Sequence, residues 1–395
     1  MFPSSNLRLS EELTAEAFQA KRSLYITSGT SSANQISLFA TVQRGDKVLV
    51  DRTCHQSIHF ALSLLGVEVH YMELNNKFEK LNRRFTNYRG SISQYKDAVV
   101  KKRPFKMVII NSCSYEGICC RSSELIKKKM LKINSDVTFL VDEAWLAFSL
   151  FHEDTSHLSL LGNFPQLSKS FPKANFIITQ SAHKSTISLR QGSYIHLSGA
   201  KQFIKKIEES KYKYHTTSPD FLILASLELA REDMILNGKS SIDSSTKLRK
   251  EFCEKIRNLS IFCPYDFDDV DYYYDPLKQV ILFDEKIISP EELKEKFKIG
   301  GVYISLVCES YFLVNFHIGI CKEDVDKLVN LLREIDVSLT PTKSDSKVSD
   351  EFIIPYPPGV PIAVPGEVMT TGLKQRIEEY RHSGSRVVRV KKEVK

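Results

Sequence analysis

Short apolar runs recur along the first half of the chain, and each is closed by a polar cluster. The runs are Ser23–Thr27, Lys47–Val50, Val67–Met72, Met107–Ser112, Thr138–Trp145 and Ala174–Thr179. Between them the apolar spacing lengthens to that of helices. Residues 9–21 place Leu13, Ala17 and Phe18 on one face, with Ser10 as an N-cap. Further helical patterns carry Ile36, Leu38, Phe39 and Val42, then Ile58–Leu65, then a basic stretch Ser122–Ile133. Residues 73–103 are polar and rich in Lys and Arg, which predicts loop and a surface helix. Apolar strands alternating with helices predict βαβ units and a mainly parallel sheet, an α/β fold.

The second half changes rhythm. A long helical pattern, Phe221–Asn237, gives way to a helix at Thr246–Leu259 and strands at Gln279–Phe283, Val302–Val307 and Phe312–Ile318. A helix at Lys322–Ile335 follows. The expected organisation is a large domain over 1–239 and a small α+β domain over 240–337. Residues 338–395 are expected to be a linker and a Pro-rich and helical segment that packs with the small domain. Ser338–Ser349 has little apolar content to bury. Ile354–Pro361 must be extended with a turn at Gly359, and Thr371–His382 reads as a last basic helix.

Composition narrows the partners. The 395 residues are 42% hydrophobic and 26% charged, which is ordinary for a globular protein. A net charge of +7 comes from lysines spread along the whole chain, with no aromatic-interleaved basic block. That favours anionic small molecules and argues against nucleic acid. No apolar run reaches the roughly 18 residues that span a bilayer, and Met1-Phe2-Pro3-Ser4-Ser5 lacks the regions of a signal peptide. The eight cysteines form no Cys-x-x-Cys pair and no zinc-like spacing with His. The expectation is a cytoplasmic protein with free thiols, no metal and no membrane contact.

Ligands of parallel sheets bind beyond the carboxyl ends of the strands. Four polar clusters fall there: Ser28-Gly29-Thr30-Ser31, His55, Asp142 and His183-Lys184. The first sits between a strand and a helix, the layout of a phosphate cradle, although a plain Ser/Thr helix cap fits the same residues. Lys184 ends the apolar run that leads through Thr179-Gln180-Ser181-Ala182-His183. A lysine held near a ligand and partly desolvated suits Schiff-base chemistry. Among 55 Lys plus Arg a lone lysine would be an ordinary surface charge, and the convergence of four clusters on one rim is what singles Lys184 out.

The segments Thr27-Ser28-Gly29-Thr30-Ser31-Ser32-Ala33-Asn34, Val50–Ser57, Val141-Asp142-Glu143-Ala144-Trp145 and Gln180–Lys184 resemble those of a known family. So do His215-Thr216-Thr217-Ser218-Pro219, Tyr274-Asp275-Pro276-Leu277-Lys278 and Pro355–Pro361. In order and spacing the chain is similar to the pyridoxal-phosphate-dependent decarboxylases of ornithine, lysine and arginine. These have the fold-type-I, aspartate aminotransferase-like architecture, usually preceded by a segment with a Pro-Gly-His motif that this sequence does not show. The resemblance implies a Schiff base between Lys184 and the aldehyde of pyridoxal 5′-phosphate. It implies that Asp142 pairs with the ring nitrogen and His55 stacks on the ring. Ser28, Gly29, Thr30, Ser31 and Ser181 would hold the phosphate, with Thr217 or Ser218 reaching it from a second subunit. His183 would act beside Lys184, and Ala144 and Trp145 would border the cofactor, Trp145 reading equally as a core aromatic. A homodimer with shared sites and a basic amino acid as substrate are expected. An aminotransferase or lyase of the same fold, or a catalytically impaired homologue with a binding role, are the alternatives.

Overall fold

The computed structural model describes residues 5–81, 83–339, 348–356, 359–369, 371–382 and 386–391. Its centre is a seven-stranded sheet. The strands are β1 (Arg22–Ile26), β2 (Lys47–Val50), β3 (Glu68–Tyr71), β4 (Met107–Asn111), β5 (Thr138–Asp142), β6 (Asn175–Gln180) and β7 (Ser193–Ser198). They lie side by side in the order β1-β7-β6-β5-β4-β2-β3. Pairings among β3, β2, β4, β5 and β6 are parallel, whereas β7 runs antiparallel to both β6 and β1. The expected mainly parallel sheet is therefore present, with an antiparallel end.

The continuous apolar runs follow from burial on both faces. Along β4, β5 and β6 alternate residues feed two cores. Val108, Ile110, Phe139, Val141, Phe176 and Ile178 enter one of them. Met107, Ile109, Leu140 and Ile177 enter the other, beneath the helices Gly29–Thr41 and Gln56–Leu65. With no polar face to show, such a strand carries no alternation in its sequence.

Four elements depart from the sequence reading. The strand β7 was not anticipated, because Ser193, His196 and Ser198 interrupt its apolar residues, yet every one of its residues is buried. Inside 73–103 a hairpin, Leu74–Phe78 with Arg83–Thr86, precedes the helix Tyr88–Val100. The basic stretch 122–133 winds as a π-helix over Glu124–Met130 before one α-turn. The two helices expected at 221–237 and 246–259 are one, Phe221–Ile256, which runs through the expected domain join at 239/240.

That helix begins cleanly, since the Asp220 carboxylate accepts from the Leu222 and Ile223 amides at 2.8 and 3.2 Å. Its weak middle, Gly238-Lys239-Ser240-Ser241, holds because it is packed. Ile242 is 1% exposed, and the buried Ser245 hydroxyl donates to the His317 carbonyl. The second half of the helix then enters the core of a smaller antiparallel sheet, ordered Cys263–Pro264, Lys278–Leu282, Tyr311–Asn315, Leu306–Val307. Phe252, Phe262, Phe312 and Leu332 form the centre of that core. Two helices, Pro290–Ile299 and Lys322–Leu339, close it.

The strand Glu351–Tyr356 pairs with Arg386–Lys391 beside the helix Thr371–His382. Most of the expected linker, and Pro357-Pro358, lie outside the described residues. All eight cysteines are free thiols. Among the described residues no helix is long and apolar enough to cross a membrane.

Packing and propensity disagree at Gly238, and the magnitudes decide between them. A β-carbon there would stand 2.9 Å from Met234 Cε and 2.9 Å from Phe151 Cβ. Replacing glycine in a helix gains up to about 1 kcal/mol, but overpacking a close contact costs about 1–3 kcal/mol. Gly238→Val should therefore lose about 2 kcal/mol of stability. Equal or higher stability on urea unfolding would show that Phe151 does not press on the helix.

Candidate active site

Strands β5 and β6 are in register, with Asp142 opposite Thr179. The chain leaves β6 through Ser181 into a four-residue helical turn, Ala182–Ser185, which carries His183 and Lys184. The register thus sets a carboxylate and an ammonium side by side at the carboxyl edge of the sheet. Asp142 is only 3% exposed. Its Oδ2 accepts from Asn34 Nδ2 at 2.9 Å and its Oδ1 from the Ala144 amide at 3.1 Å. Asn34 is itself fixed, because the Thr179 hydroxyl donates to its Oδ1 at 2.7 Å.

Burial raises the Asp142 carboxyl above its ordinary range, while Asn34, the charge of Lys184, Ala144 and His55 pull it back down. Burial likewise lowers Lys184, opposed by the charge of Asp142 and reinforced by Lys278. Each charge is costly to bury and each makes the other less so. The Lys184 Nζ stands 4.5 Å from the Trp145 ring centroid, and Tyr115 meets the same ring edge-on at 5.1 Å. A cavity of about 300 Å³ opens between the two domains, lined by Trp145, His183, Lys184, Asp275, Lys278 and His317 among others.

His183 is half-buried, and its Nδ1 lies 2.9 Å from the Gly192 carbonyl. A carbonyl only accepts, so that nitrogen carries the hydrogen and Nε2 is the free acceptor. Burial lowers its pKa further, aided by the charge of Lys184, so the ring is neutral. His55 is exposed and N-caps the helix Gln56–Leu65, its Nδ1 accepting from the Ser57 amide at 3.2 Å.

At the start of the helix Gly29–Thr41 three hydroxyls converge. Thr30 Oγ1 lies 2.6 Å from Ser181 Oγ and 3.0 Å from Ser193 Oγ, and all three residues are buried. Gly29, at φ +83°, has nothing within 4 Å of the position a β-carbon would take. Buried hydroxyls, the N-terminus of a 13-residue helix and open space at the glycine are what a phosphate needs. With Lys184 and Asp142 close by, the donor set fits pyridoxal phosphate. Ser28 and Ser31 are exposed at the same rim.

Thr217 and Ser218 stand apart. Both are exposed, in a turn held by the Thr216 hydroxyl, which accepts from the Ser218 amide at 3.1 Å. The neighbouring His215 faces Thr27 instead, its Nε2 accepting from that amide at 3.1 Å. Its pKa is pushed down to about 4, first by burial.

Four residues of the site had no role in the sequence reading. Asn34 lay within a quoted motif, but only the fold reveals that it reaches Asp142. Ser193 lies on the unanticipated strand β7. Asp275 and Lys278 come from the small-domain side, 91 and 94 residues beyond Lys184 in sequence. They are carried in by a short ladder in which Tyr272–Tyr274 pairs with Ile118–Cys120.

The architecture is that of the fold-type-I pyridoxal-phosphate enzymes. The family described as Orn/Lys/Arg decarboxylase, major domain, matches residues 2–279, and this chain belongs to that family. The arginine decarboxylase of Bacillus subtilis (strain 168) is 24% identical over 413 residues, covering 93% of this chain and 80% of that protein. The structure of the Francisella novicida lysine decarboxylase LdcF superposes with a TM-score of 0.71 at 18% identity, over 97% of this chain and 71% of that one. The constitutive lysine decarboxylase of E. coli gives 0.69 at 20% identity, over 97% and 72%.

Next to Asp142, Glu143 is fully buried. It accepts from Ser159 Oγ at 2.6 Å, the Leu160 amide at 2.8 Å and Gln180 Nε2 at 3.0 Å. Burial nevertheless pushes its pKa up to about 7 from an ordinary 4.5. The folded state therefore holds this proton more tightly than the unfolded chain. Its stabilising contribution is complete below the unfolded pKa and is lost as pH rises through about 7. Gln180 Oε1 has no partner, so a turned amide there can receive a hydrogen from a glutamine at 143. Between pH 5 and pH 8 the wild type should lose about 2–3 kcal/mol relative to Glu143→Gln. Parallel stability curves for the two proteins would contradict a protonated Glu143.

Proposed function

We propose that this chain is a pyridoxal-phosphate-dependent decarboxylase that converts a basic amino acid, lysine, arginine or ornithine, to the amine and carbon dioxide. The observation that carries this reading is the buried Asp142 facing the half-buried Lys184 beside a hydroxyl-lined helix N-terminus. Family membership supports the reaction class, and relatives named arginine and lysine decarboxylase support the substrate class.

When bound, the cofactor supplies an amine-reactive aldehyde and an aromatic ring that takes up the electrons left as carbon dioxide departs. The residues divide the remaining work. Thr30, Ser181 and Ser193 hold the phosphate at the helix N-terminus. Asp142, fixed by Asn34 and Ala144, presents a negative charge that keeps a proton on the ring nitrogen. Ala144 and Trp145 close the side next to Lys184, and His55 covers the open face. Lys184 would be the residue that holds the aldehyde, and its amine lines the cavity beside Trp145. His183 is neutral, with its Nδ1 hydrogen committed to Gly192, so it is a poor proton donor. The Lys184 ammonium is the group left to protonate Cα once the carboxylate has gone.

The working unit in this reading is a homodimer with shared sites. Thr217 and Ser218 offer their hydroxyls outward, and immediately beyond them Phe221 and Leu222 are 80% and 72% exposed. Large apolar side chains at that exposure call for a partner surface, and a second copy would cover them while bringing the hydroxyls to its own phosphate site.

Lys184→Ala should abolish both the visible absorbance of the bound cofactor and amine release, with an unchanged circular dichroism spectrum. Asp142→Asn should keep the cofactor and lose roughly two or more orders of magnitude in kcat. If borohydride in the presence of pyridoxal phosphate marks another lysine, or Asp142→Asn turns over normally, the site is misassigned. The shared site is tested by subunit exchange between Lys184→Ala and a Thr217→Ala/Ser218→Ala protein. Hybrid dimers should recover up to about half the activity of a wild-type dimer, since one of two sites is then intact. Demonstrated exchange without recovery would exclude a shared site.

A further inference from the structure

Lys278 is 3% exposed, and among the described residues no other lysine or arginine is as deeply buried. Burying an ammonium is expensive unless a counter-charge or a full set of acceptors repays it. Among the described residues Lys278 shares the charge of Asp275 without forming an ion pair with it. Its Nζ donates to the Tyr115 carbonyl at 2.8 Å and more loosely to the Ser114 carbonyl at 3.4 Å, and it makes no ion pair. Its Nζ also lies over the indole of Trp145, 3.8 Å from the ring centroid, and over the Tyr115 ring at 5.6 Å. The Lys184 Nζ lies 4.5 Å from the same centroid, and both lysines line one cavity.

The placement is built. Asp275 donates its amide to the Gly117 carbonyl at 2.8 Å, and Gly117, at φ +97°, lets the Lys278 stem pass where a β-carbon would stand 3.1 Å from Lys278 Cδ. Lys278 is the first residue of its strand, so the whole small sheet fixes its direction. Two like charges directed into one cavity oppose each other, and the charge of Lys278 favours loss of the proton from Lys184.

We propose that Lys278 is a positioning residue whose buried positive charge, held against the same indole as Lys184, drives the proton from the Lys184 amine and so keeps that amine nucleophilic. The inference rests on Lys184 being the lysine that condenses with the cofactor aldehyde. In that step the amine nitrogen forms a bond to the carbonyl carbon and the carbonyl oxygen leaves as water. A protonated amine has no electron pair for it, so a neighbouring cation speeds the first bond. The other groups facing Lys184 are Asp142 from β5, Cys113 from the segment after β4, His183 from its own turn, and Asp275 and His317 across the cavity. At Lys184, Asp142 and Cys113 act against Lys278 and burial acts with it, while Asp275 offsets the charge of Lys278 itself.

The test reads Lys184 directly. The full chain, freed of bound aldehyde, is treated with trace acetic anhydride between pH 6 and pH 10, and acetylation of Lys184 is followed by peptide mass spectrometry. In Lys278→Met the midpoint should move to higher pH, and the rate at pH 8 should fall roughly fivefold or more. Lys278→Arg, which keeps the charge, should stay near the wild-type profile. Asp275→Asn removes the opposing carboxylate and should move the midpoint to lower pH. A folded Lys278→Met whose profile superposes on the wild type overturns the proposal. If Lys278→Met does not fold, an unmoved or upward-moved profile in Asp275→Asn overturns it equally. A raised KM for the amino acid with unaltered Lys184 acetylation would make Lys278 a carboxylate anchor, which is also against the proposal. Failure of the decarboxylase reading is seen separately, as absence of amine product from the wild type while the acetylation profiles still differ.

Discussion

A buried carboxylate at a strand end and a half-buried ammonium in the turn after the next strand constrain everything around them. Neither Asp142 nor Lys184 would keep its charge alone at that depth, since desolvation is the largest influence on each. Each eases the burial of the other without cancelling it, so the geometry must be rigid and the spare lone pairs satisfied. The fold supplies both conditions. Parallel register puts Asp142 opposite Thr179, five residues before Lys184, Asn34 donates to Asp142 from the helix Gly29–Thr41, and Thr179 fixes Asn34 in turn. The helix Gly29–Thr41 is thereby anchored to the floor of the site by a side chain in its second turn. Its N-terminus, and the hydroxyls gathered there, cannot drift relative to Lys184.

Much of this was legible in the sequence, and the reasons are particular. The runs that became β2, β4, β5 and β6 are apolar throughout because both faces are covered, and each ends in polar residues where cover stops. Strand ends were therefore readable, and with them Asp142, His55 and Lys184. What escaped depended on tertiary context. The strand β7 contains Ser193, His196 and Ser198, which look like surface. His196 is in fact buried between the Ser23 hydroxyl, at 2.7 Å, and the ring of Phe18, and its pKa is pushed down to about 3. The helix Phe221–Ile256 was read as two because Gly238 and the serines after it are poor helix formers, and packing on Phe151 outweighs that. The motif at 274–278 could be recognised, but no periodicity reveals that a lysine opening a small-domain strand reaches back to Lys184.

The second domain is therefore part of the site rather than an appendage to it. Its sheet contacts the large domain through the ladder of Tyr272–Tyr274 with Ile118–Cys120, and the aromatic rings of Tyr272, Phe78 and Phe85 pack across the join. Tyr272 also donates to the Thr86 carbonyl at 2.6 Å, tying the join to the hairpin that the sequence concealed. These contacts determine where Asp275 and Lys278 sit, and those two buried residues place charge in a pocket that is also lined by Trp145, His183 and Lys184. A site built across such a join responds to packing far from its chemistry. The long helix, shared by both cores, keeps the two halves at a fixed spacing. This gives a physical reason for one unbroken helix of 36 residues where two shorter ones would have satisfied each core separately.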